Sequence, residues 1–315
     1  MPNLICIAGP TASGKTALSI ALAKELNAEI ISCDSMQVYR RMDIGTAKPT
    51  PEERQGIPHH MLDVAQPDED FSVSRYCEMA SPIIDRLLNQ GKTAIVVGGT
   101  GLYMDSLIRG NTFAPYPSTG RREELETLAA KEGIEAVLSQ LRVVDPESAA
   151  RLHPSDQKRI IRAMEVYLET GKTITEHNRQ TQSLPPKYAP LWLALEDADR
   201  ADLYRRIDQR VDAMLKAGLL EEIRQLLAEG LSTDCTAMQA IGYKEFVSAL
   251  QGHCSVTEAT ALVQQSSRRY AKRQLTWFRR NENIHWLRRQ RGEETTEILS
   301  DARQIIRNFD KCYLL

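Results

Sequence analysis

Residues 9–16 read GPTASGKT, a complete phosphate-binding loop made of Gly9, Pro10, Thr11, Ala12, Ser13, Gly14, Lys15 and Thr16. No other stretch restricts the fold as strongly, because such a loop belongs between a buried strand and a helix. Both neighbours are legible. Leu4-Ile5-Cys6-Ile7-Ala8 is an unbroken apolar run, the pattern of a parallel strand covered on both faces. Leu18, Leu22 and Leu26 then recur at helical spacing. The N–H groups of such a loop point inward at an anion, and the helix N-terminus adds partial positive charge. Lys15 is placed to neutralise phosphate oxygens, and the Thr16 hydroxyl to meet a magnesium ion. The loop specifies a polyphosphate without saying which molecule carries it.

The pattern repeats downstream. Glu29-Ile30-Ile31-Ser32-Cys33 reads as a second strand, ending at Asp34-Ser35. Residues 72–89 place Val73, Tyr76, Ala80, Ile84 and Leu87 at helical intervals, and Gly91 closes that helix. Thr93-Ala94-Ile95-Val96-Val97 is a third strand, running into Gly98-Gly99-Thr100-Gly101 and a helix over about 102–108. Alternation of this kind predicts an α/β fold, a phosphate-loop NTPase-like parallel sheet with helices on both faces. Ligands of such sheets sit at the carboxyl ends of the strands, where Asp34 and Thr100 both fall.

The character changes at Ala114-Pro115-Tyr116-Pro117. From residue 121 to 170 the pattern is helical and charged, with no convincing strand. Residues 117–186 therefore read as a helical insertion, closed by Pro185-Pro186, in a core formed by 1–116 and 187–315. Leu191-Trp192-Leu193-Ala194-Leu195 resumes the sheet. Helices are expected over 201–217, 219–228, about 237–250 and 256–280. A last short strand follows at Ile284-His285-Trp286-Leu287, then a helix from about Glu294 to Phe309.

A net charge of −2 excludes a globally basic nucleic-acid binder, so any such site must be a local patch. No apolar run approaches the ~20 residues of a membrane span. The N-terminus shows no secretion signal, and the six cysteines, Cys6, Cys33, Cys77, Cys235, Cys254 and Cys312, lack metal-ligand spacing. Reduced thiols in a cytoplasmic protein are the economical reading.

An ordinary ATPase places an Asp at the end of a later strand to organise magnesium and water. Here that strand ends in Gly-Gly-Thr-Gly, and the acidic residue stands at the second strand as Asp34. Two chemistries stay open: transfer of a terminal phosphoryl group, as in a small-molecule or nucleoside kinase using ATP, or capture of a diphosphate that departs as leaving group. Asp34 reads either as a general base or as the cap of a turn. Thr100 reads either as a contact to a substrate base or as a helix-start residue. Arg206 and Arg210 lie four apart on one helical face, where they either fork onto a diphosphate or form a solvated surface. Residues 267–280 form the densest basic cluster, with Arg269, Lys272, Arg273, Thr276 and Arg280 on one face and aromatic residues interleaved. That pattern suits a phosphate backbone with bases nearby, and equally a solvated helix. Lys158-Arg159-Ile160-Ile161-Arg162 is a second cluster, inside the insertion. The adjacent His59 and His60 point to opposite faces of an extended chain, which predicts a structural role.

These pieces, taken in order, resemble one family. GPTASGKT, Asp34-Ser35-Met36-Gln37-Val38-Tyr39, Asp43-Ile44-Gly45-Thr46-Ala47-Lys48-Pro49, Pro58-His59-His60-Met61-Leu62-Asp63, Gly98-Gly99-Thr100-Gly101-Leu102-Tyr103, Gly242-Tyr243 and Lys272-Arg273-Gln274-Leu275-Thr276-Trp277 are similar to the motifs of the bacterial tRNA dimethylallyltransferases, also called tRNA isopentenyltransferases. The match spans nearly the whole chain. Cys312 has no Cys/His partner spacing, as in the short form that lacks the C-terminal zinc finger of eukaryotic relatives.

The resemblance implies transfer of a dimethylallyl group from dimethylallyl diphosphate to the exocyclic amine of the adenosine 3′ of the anticodon, in tRNAs reading codons that begin with U. It implies that residues 9–16 hold the donor diphosphate with Mg2+ at Thr16, that Arg210 grips that diphosphate, and that Asp34 takes the amine proton. It places the tRNA anticodon stem-loop against Asp34, Ser35, Met36, Gln37 and Thr100. Arg122, Lys158, Arg159, Ile160, Ile161 and Arg162 match further tRNA contacts in the insertion. So do Gln239, Gly242, Tyr243, Lys244, Lys272, Arg273, Thr276 and Arg279 in the core, although Gln239 stands where some members carry arginine. A monomer is expected, since recognition of one tRNA needs no two-fold symmetry.

Overall fold

The structure, a computed structural model, describes residues 2–111, 119–291 and 295–312. Among the described residues the strands are β1 (Leu4–Ala8), β2 (Glu29–Cys33), β3 (His59–His60), β4 (Ala94–Gly98), β5 (Leu191–Asp197) and β6 (Ile284–Arg289). They form one sheet in the order β3-β2-β4-β1-β5-β6, with every pairing parallel. The apolar runs form strands because both sheet faces are covered. Ile5, Ile7, Ile30, Ile95 and Leu193 are buried in one cluster with Leu18 and Leu22 of the helix Lys15–Leu26 and Ile298 of the helix Thr295–Cys312. Five of the strands coincide with those expected. The two-residue β3 was not expected, being too short to show any alternation.

Register sets up the site. Gly98, at the end of β4, pairs with Ala8 of β1 on one side and Cys33 of β2 on the other. The phosphate loop, Asp34 and Thr100 therefore leave the sheet side by side. A Cβ at residue 98 would collide with the Cys33 carbonyl, which is why the strands close up only with glycine there.

Contact clustering divides the chain into one unit of Met1–Gly110 with Lys187–Leu315, and a second of Asn111–Pro186. The expected insertion start, Pro117, and the Ala114-Pro115-Tyr116-Pro117 stretch lie outside the described residues, as does Glu294 at the expected start of the last helix. The regular elements among the second unit's described residues are all helices: Arg121–Glu132, Ile134–Val144, Pro146–Arg151, Gln157–Thr170 and Ile174–Ser183. Its own core gathers Leu125, Val137, Leu138, Leu141, Ile160 and Met164.

One expected helix differs. Residues 237–250 form a single 3-10 turn, Ala237–Gln239, and then the helix Tyr243–Leu250. Gly242 lies between them at φ 99°, a left-handed geometry that an α-helix cannot pass through.

Candidate active site

The phosphate loop bends through two left-handed residues, Ala12 at φ 61° and Gly14 at φ 90°. Gly14 begins the helix Lys15–Leu26 without a side-chain cap, so the first helical N–H groups have no intrahelical acceptor. Lys15 Nζ donates to the Pro10 carbonyl at 2.6 Å. The Ser13 hydroxyl is buried and has no hydrogen-bond partner among the described residues.

Arg206 and Arg210, on the helix Arg200–Lys216, behave differently. Arg206 Nη2 donates to both oxygens of Asp197 at 2.6 Å, and its Nε to the Ala12 carbonyl at 3.0 Å. The reading in which both guanidinium groups fork onto a diphosphate is corrected accordingly: Asp197 occupies Arg206, which buttresses the loop from behind. Arg210 makes no ion pair with a described residue and reaches only the Thr11 hydroxyl, at 3.3 Å. Burial and the nearby Arg210 charge push the Lys15 ammonium down from 10.5 to about 7, against the pull of Asp34. Burial likewise lowers Arg210, opposed by Asp34 and Glu53. Both shifts come first from burial, which disfavours the charged forms; an anion brought into contact would favour them again.

A cavity of about 430 Å³ joins Lys15, Thr16 and Arg210 to Asp34, Gln37 and Tyr270. A second, of about 760 Å³, reaches the same Lys15, Thr16 and Arg210 from beside Lys24 and Gln209. The volumes fall in the range of small-molecule sites, roughly 300–1,000 Å³. Asp34 serves its turn as well as the cavity. Its Oδ1 accepts from the Met36 and Gln37 amides at 2.9 and 3.3 Å, while Oδ2 accepts from no described residue. Thr100 Oγ1 accepts from the Ser35 amide at 3.1 Å and so fixes the residue next to Asp34. Gln37 is committed to the protein: Nε2 donates to the Thr46 and Ala47 carbonyls and Oε1 accepts from Ser32.

Three cavity features were not expected. Ile207, Val211 and Met214 recur at helical spacing and give the cavity an apolar wall on the helix that carries Arg210. Tyr270 also lines it, its phenol pushed up to about 12 by burial and then by the Asp34 charge. Gln274 lies buried, with its amide hydrogen-bonded to Thr11 and Gly99. Periodicity could have flagged the apolar wall. Gln274 falls inside the motif Lys272-Arg273-Gln274-Leu275-Thr276-Trp277, but that motif does not say what it bonds, because its partners lie far away in the chain.

The residues matched to tRNA contacts separate into surface and interior. Lys272, Arg273 and Thr276 are exposed on the helix Val256–Phe278, as is Arg279 at its C-terminal cap. Arg273 lies 5.5 Å over the Tyr270 ring, Thr276 bonds back to the Lys272 carbonyl, and Arg279 pairs with Glu196. That helix is anchored by Trp277, whose Nε1 donates to Asp105 at 2.8 Å. Gln239 and Lys244 are exposed, and both line the cavity of about 430 Å³ beside Gly242. Tyr243 requires a correction. It is fully buried, with its hydroxyl on Glu222 at 2.6 Å and its ring against Gly45, so it shapes the loop and touches no solute. In the helical unit Ile160 and Ile161 are corrected in the same way, because both side chains belong to that unit's core. Lys158 and Arg159 remain at its surface, and Arg122 and Arg162 converge there on one carboxylate, Glu165.

His59 lines the cavity, whereas His60 pairs with Glu29 at 2.7 Å. Among the described residues no three His, Cys, Asp or Glu side chains cluster to hold a metal, and no helix is long and apolar enough to cross a membrane.

Fold and site define a class: a parallel α/β phosphate-loop protein whose anion cradle shares a cavity with an unengaged carboxylate oxygen and an apolar wall. The chain belongs to the IPP transferase family, whose model matches residues 37–281. The tRNA dimethylallyltransferase of Alkaliphilus oremlandii is 50% identical over 285 residues, 90% of each chain. The full-length tRNA isopentenylpyrophosphate transferase of Bacillus halodurans superposes with a TM-score of 0.73 at 38% identity over 100% of both chains. A eukaryotic dimethylallyltransferase, solved in crystallographic snapshots acting on tRNA, gives a TM-score of 0.79 at 30% identity, covering 91% of this chain and 74% of that one. The resemblance carried by the motifs is borne out.

Proposed function

We propose that this enzyme transfers the dimethylallyl group of dimethylallyl diphosphate to the exocyclic amine of the adenosine 3′ of the anticodon, in tRNAs reading codons that begin with U. The observation that carries the reading is the single cavity in which two cations without carboxylate partners, Lys15 and Arg210, share space with Asp34 and an apolar wall. A kinase reading explains the cations and leaves that wall without a purpose.

An allylic C–O bond ionises readily because the allyl unit spreads positive charge. The bond's electron pair goes to the departing diphosphate. Lys15, Arg210 and the loop N–H groups stabilise that negative charge inside a cavity screened from bulk water. Ile207, Val211 and Met214 accept the hydrocarbon. The adenine amine, a weak nucleophile, forms the new N–C bond once it is aligned with the reacting carbon. Asp34 Oδ2 accepts the amine proton, while Oδ1 stays fixed by its turn. The base must leave the anticodon-loop stack, which costs roughly a few kcal/mol. Backbone contacts from Lys272, Arg273 and Arg279, and from Arg122, Lys158, Arg159 and Arg162, offset that cost.

The residues present suit magnesium. The Thr16 hydroxyl lines both cavities and bonds to no described residue, and with diphosphate oxygens it completes an all-oxygen donor set. When bound, the ion supplies further charge neutralisation on the diphosphate. The two cavities meeting at Lys15 support separate approaches for donor and RNA. Cys6, Cys33, Cys77, Cys235 and Cys254 are unpaired thiols, which supports action in the cytoplasm, and we take the working form to be a monomer.

Mass spectrometry of tRNA nucleosides after incubation with dimethylallyl diphosphate tests the reading. A prenylated adenosine is expected. Transfer of labelled γ-phosphate from ATP to a small acceptor, with no change in the tRNA, would overturn it.

A further inference from the structure

Gln274 sits on the helix that carries Lys272 and Arg273, yet it is 95% buried while they face solvent. Its side chain makes two hydrogen bonds, each to the backbone of a different loop. Oε1 accepts from the Thr11 amide at 2.9 Å, inside the phosphate loop. Nε2 donates to the Gly99 carbonyl at 3.0 Å, in the loop that leaves β4. A side-chain amide accepts at one end and donates at the other, which is what the two loops require.

Each partner leads directly to a reacting group. Thr11 receives Arg210 on its hydroxyl and stands in the loop that carries Lys15. Gly99 precedes Thr100, which holds the Ser35 amide next to Asp34. One side chain thus bridges the cradle for the leaving group and the loop that steadies the proton acceptor. The fit is tight: a Cβ on residue 99 would overlap the Gln274 amide. Tyr270, one helical turn earlier, lines the cavity itself.

We propose that Gln274 is a positioning residue for prenyl transfer, setting the separation of the diphosphate cradle and Asp34. The proposal rests on the functional reading above. Binding each substrate needs only its own loop. Joining carbon to nitrogen needs both loops in register, and a misplacement near 1 Å costs about 100-fold in rate. Gln274 therefore acts on turnover more than on either affinity.

The test uses the full chain with two variants. Gln274→Met keeps volume and removes both bonds. Gln274→Glu keeps the acceptor toward Thr11 and sets an oxygen against the Gly99 carbonyl, so it opens only one side of the bridge. Transfer is measured at saturating tRNA and dimethylallyl diphosphate, beside the KM for each substrate and the thermal midpoint. The expected result is a kcat about 100-fold lower in both variants, with both KM values within about threefold of the unaltered chain. A kcat unchanged in either variant that melts as the unaltered chain does overturns the proposal. So does a loss confined to donor KM, which would make Gln274 part of the cradle alone. If Gln274→Met melts early, the decision falls to Gln274→Glu. Absence of transfer by the unaltered chain is a different failure, that of the proposed function.

Discussion

In the sheet unit polar side chains around the cavity reach for loop backbone, whereas in the helical unit the cations Arg122 and Arg162 reach for a carboxylate at the surface. Glu222 accepts the Asp43, Ile44 and Gly45 amides at 2.8, 2.8 and 3.1 Å, and Lys48 is buried between Asp43, Asp63 and the Tyr39 carbonyl. Gln37 and Gln274 do the same for their loops. Arg122 and Arg162, by contrast, share the carboxylate of Glu165 with their own side chains near half exposed. Buried bonds to backbone hold a loop in one place. Exposed ion pairs contribute little to stability, typically ~0–1 kcal/mol, and exchange partners readily. Under the proposed function the contrast would fit two tasks: aligning a carbon with a nitrogen demands placement, and holding a polyanion demands only charge.

Substitutions can break or sharpen that contrast. The largest effect is expected at Asp34. Asp34→Asn keeps an oxygen for the Met36 amide and removes the charge, so transfer should fall by ~10²–10⁴ with tRNA affinity close to unchanged. Parallel loss of both, read by filter binding and nucleoside analysis, would leave Asp34 as a turn cap only. Next come Lys15→Met and Arg210→Met, each expected to lower kcat/KM for the donor by ~10²–10³. Arg206→Met serves as the internal control, because it should act through loop stability. If it matched Arg210→Met while the thermal midpoint stayed put, the division drawn between the two arginines would be wrong.

In the helical unit the expected response is graded. Neutralising Lys158, Arg159 and Arg162 together should reduce the salt slope of log affinity for tRNA by about 2–3, with turnover at saturating tRNA preserved. A steep drop in saturated turnover would show that this unit also places the base.

The smallest effect is a proton count. With its pKa lowered to about 7, Lys15 is largely neutral at pH 8. A diphosphate in the cradle favours the charged form, so donor binding should take up close to one proton at pH 8 and almost none at pH 6. Calorimetry in buffers of different ionisation enthalpy reads this directly. Equal uptake by Lys15→Met would assign the proton elsewhere.

Much of this was open to inspection in the linear chain, for identifiable reasons. Residues 9–16 with their flanking strand and helix are one contiguous device, so GPTASGKT located the cradle without help. The strands expected at 4–8, 29–33 and 191–195 were legible as largely apolar runs, which both faces of a parallel sheet require. Surface and interior were harder to divide. Within Lys158-Arg159-Ile160-Ile161-Arg162 a motif match treats neighbours alike, but helical rotation sends Ile160 and Ile161 inward and the cations outward. Tyr243 was misjudged for the same reason, since Gly242-Tyr243 is a motif because of packing against Gly45 and Glu222.

The chain's order of residues by itself settled the fold class and the family, and marked the loop read as an anion cradle, because each depends on short-range patterns: a loop of eight residues, strand runs, helical spacing. Tertiary structure alone decided which of two equivalent arginines is taken up by a carboxylate, which oxygen of Asp34 has no described partner, and that Gln274 spans two loops. Those outcomes turn on partners as distant as Asp197, Thr11 and Gly99. Hydrogen bonds between such distant groups form only after the sheet has brought their strand ends into line.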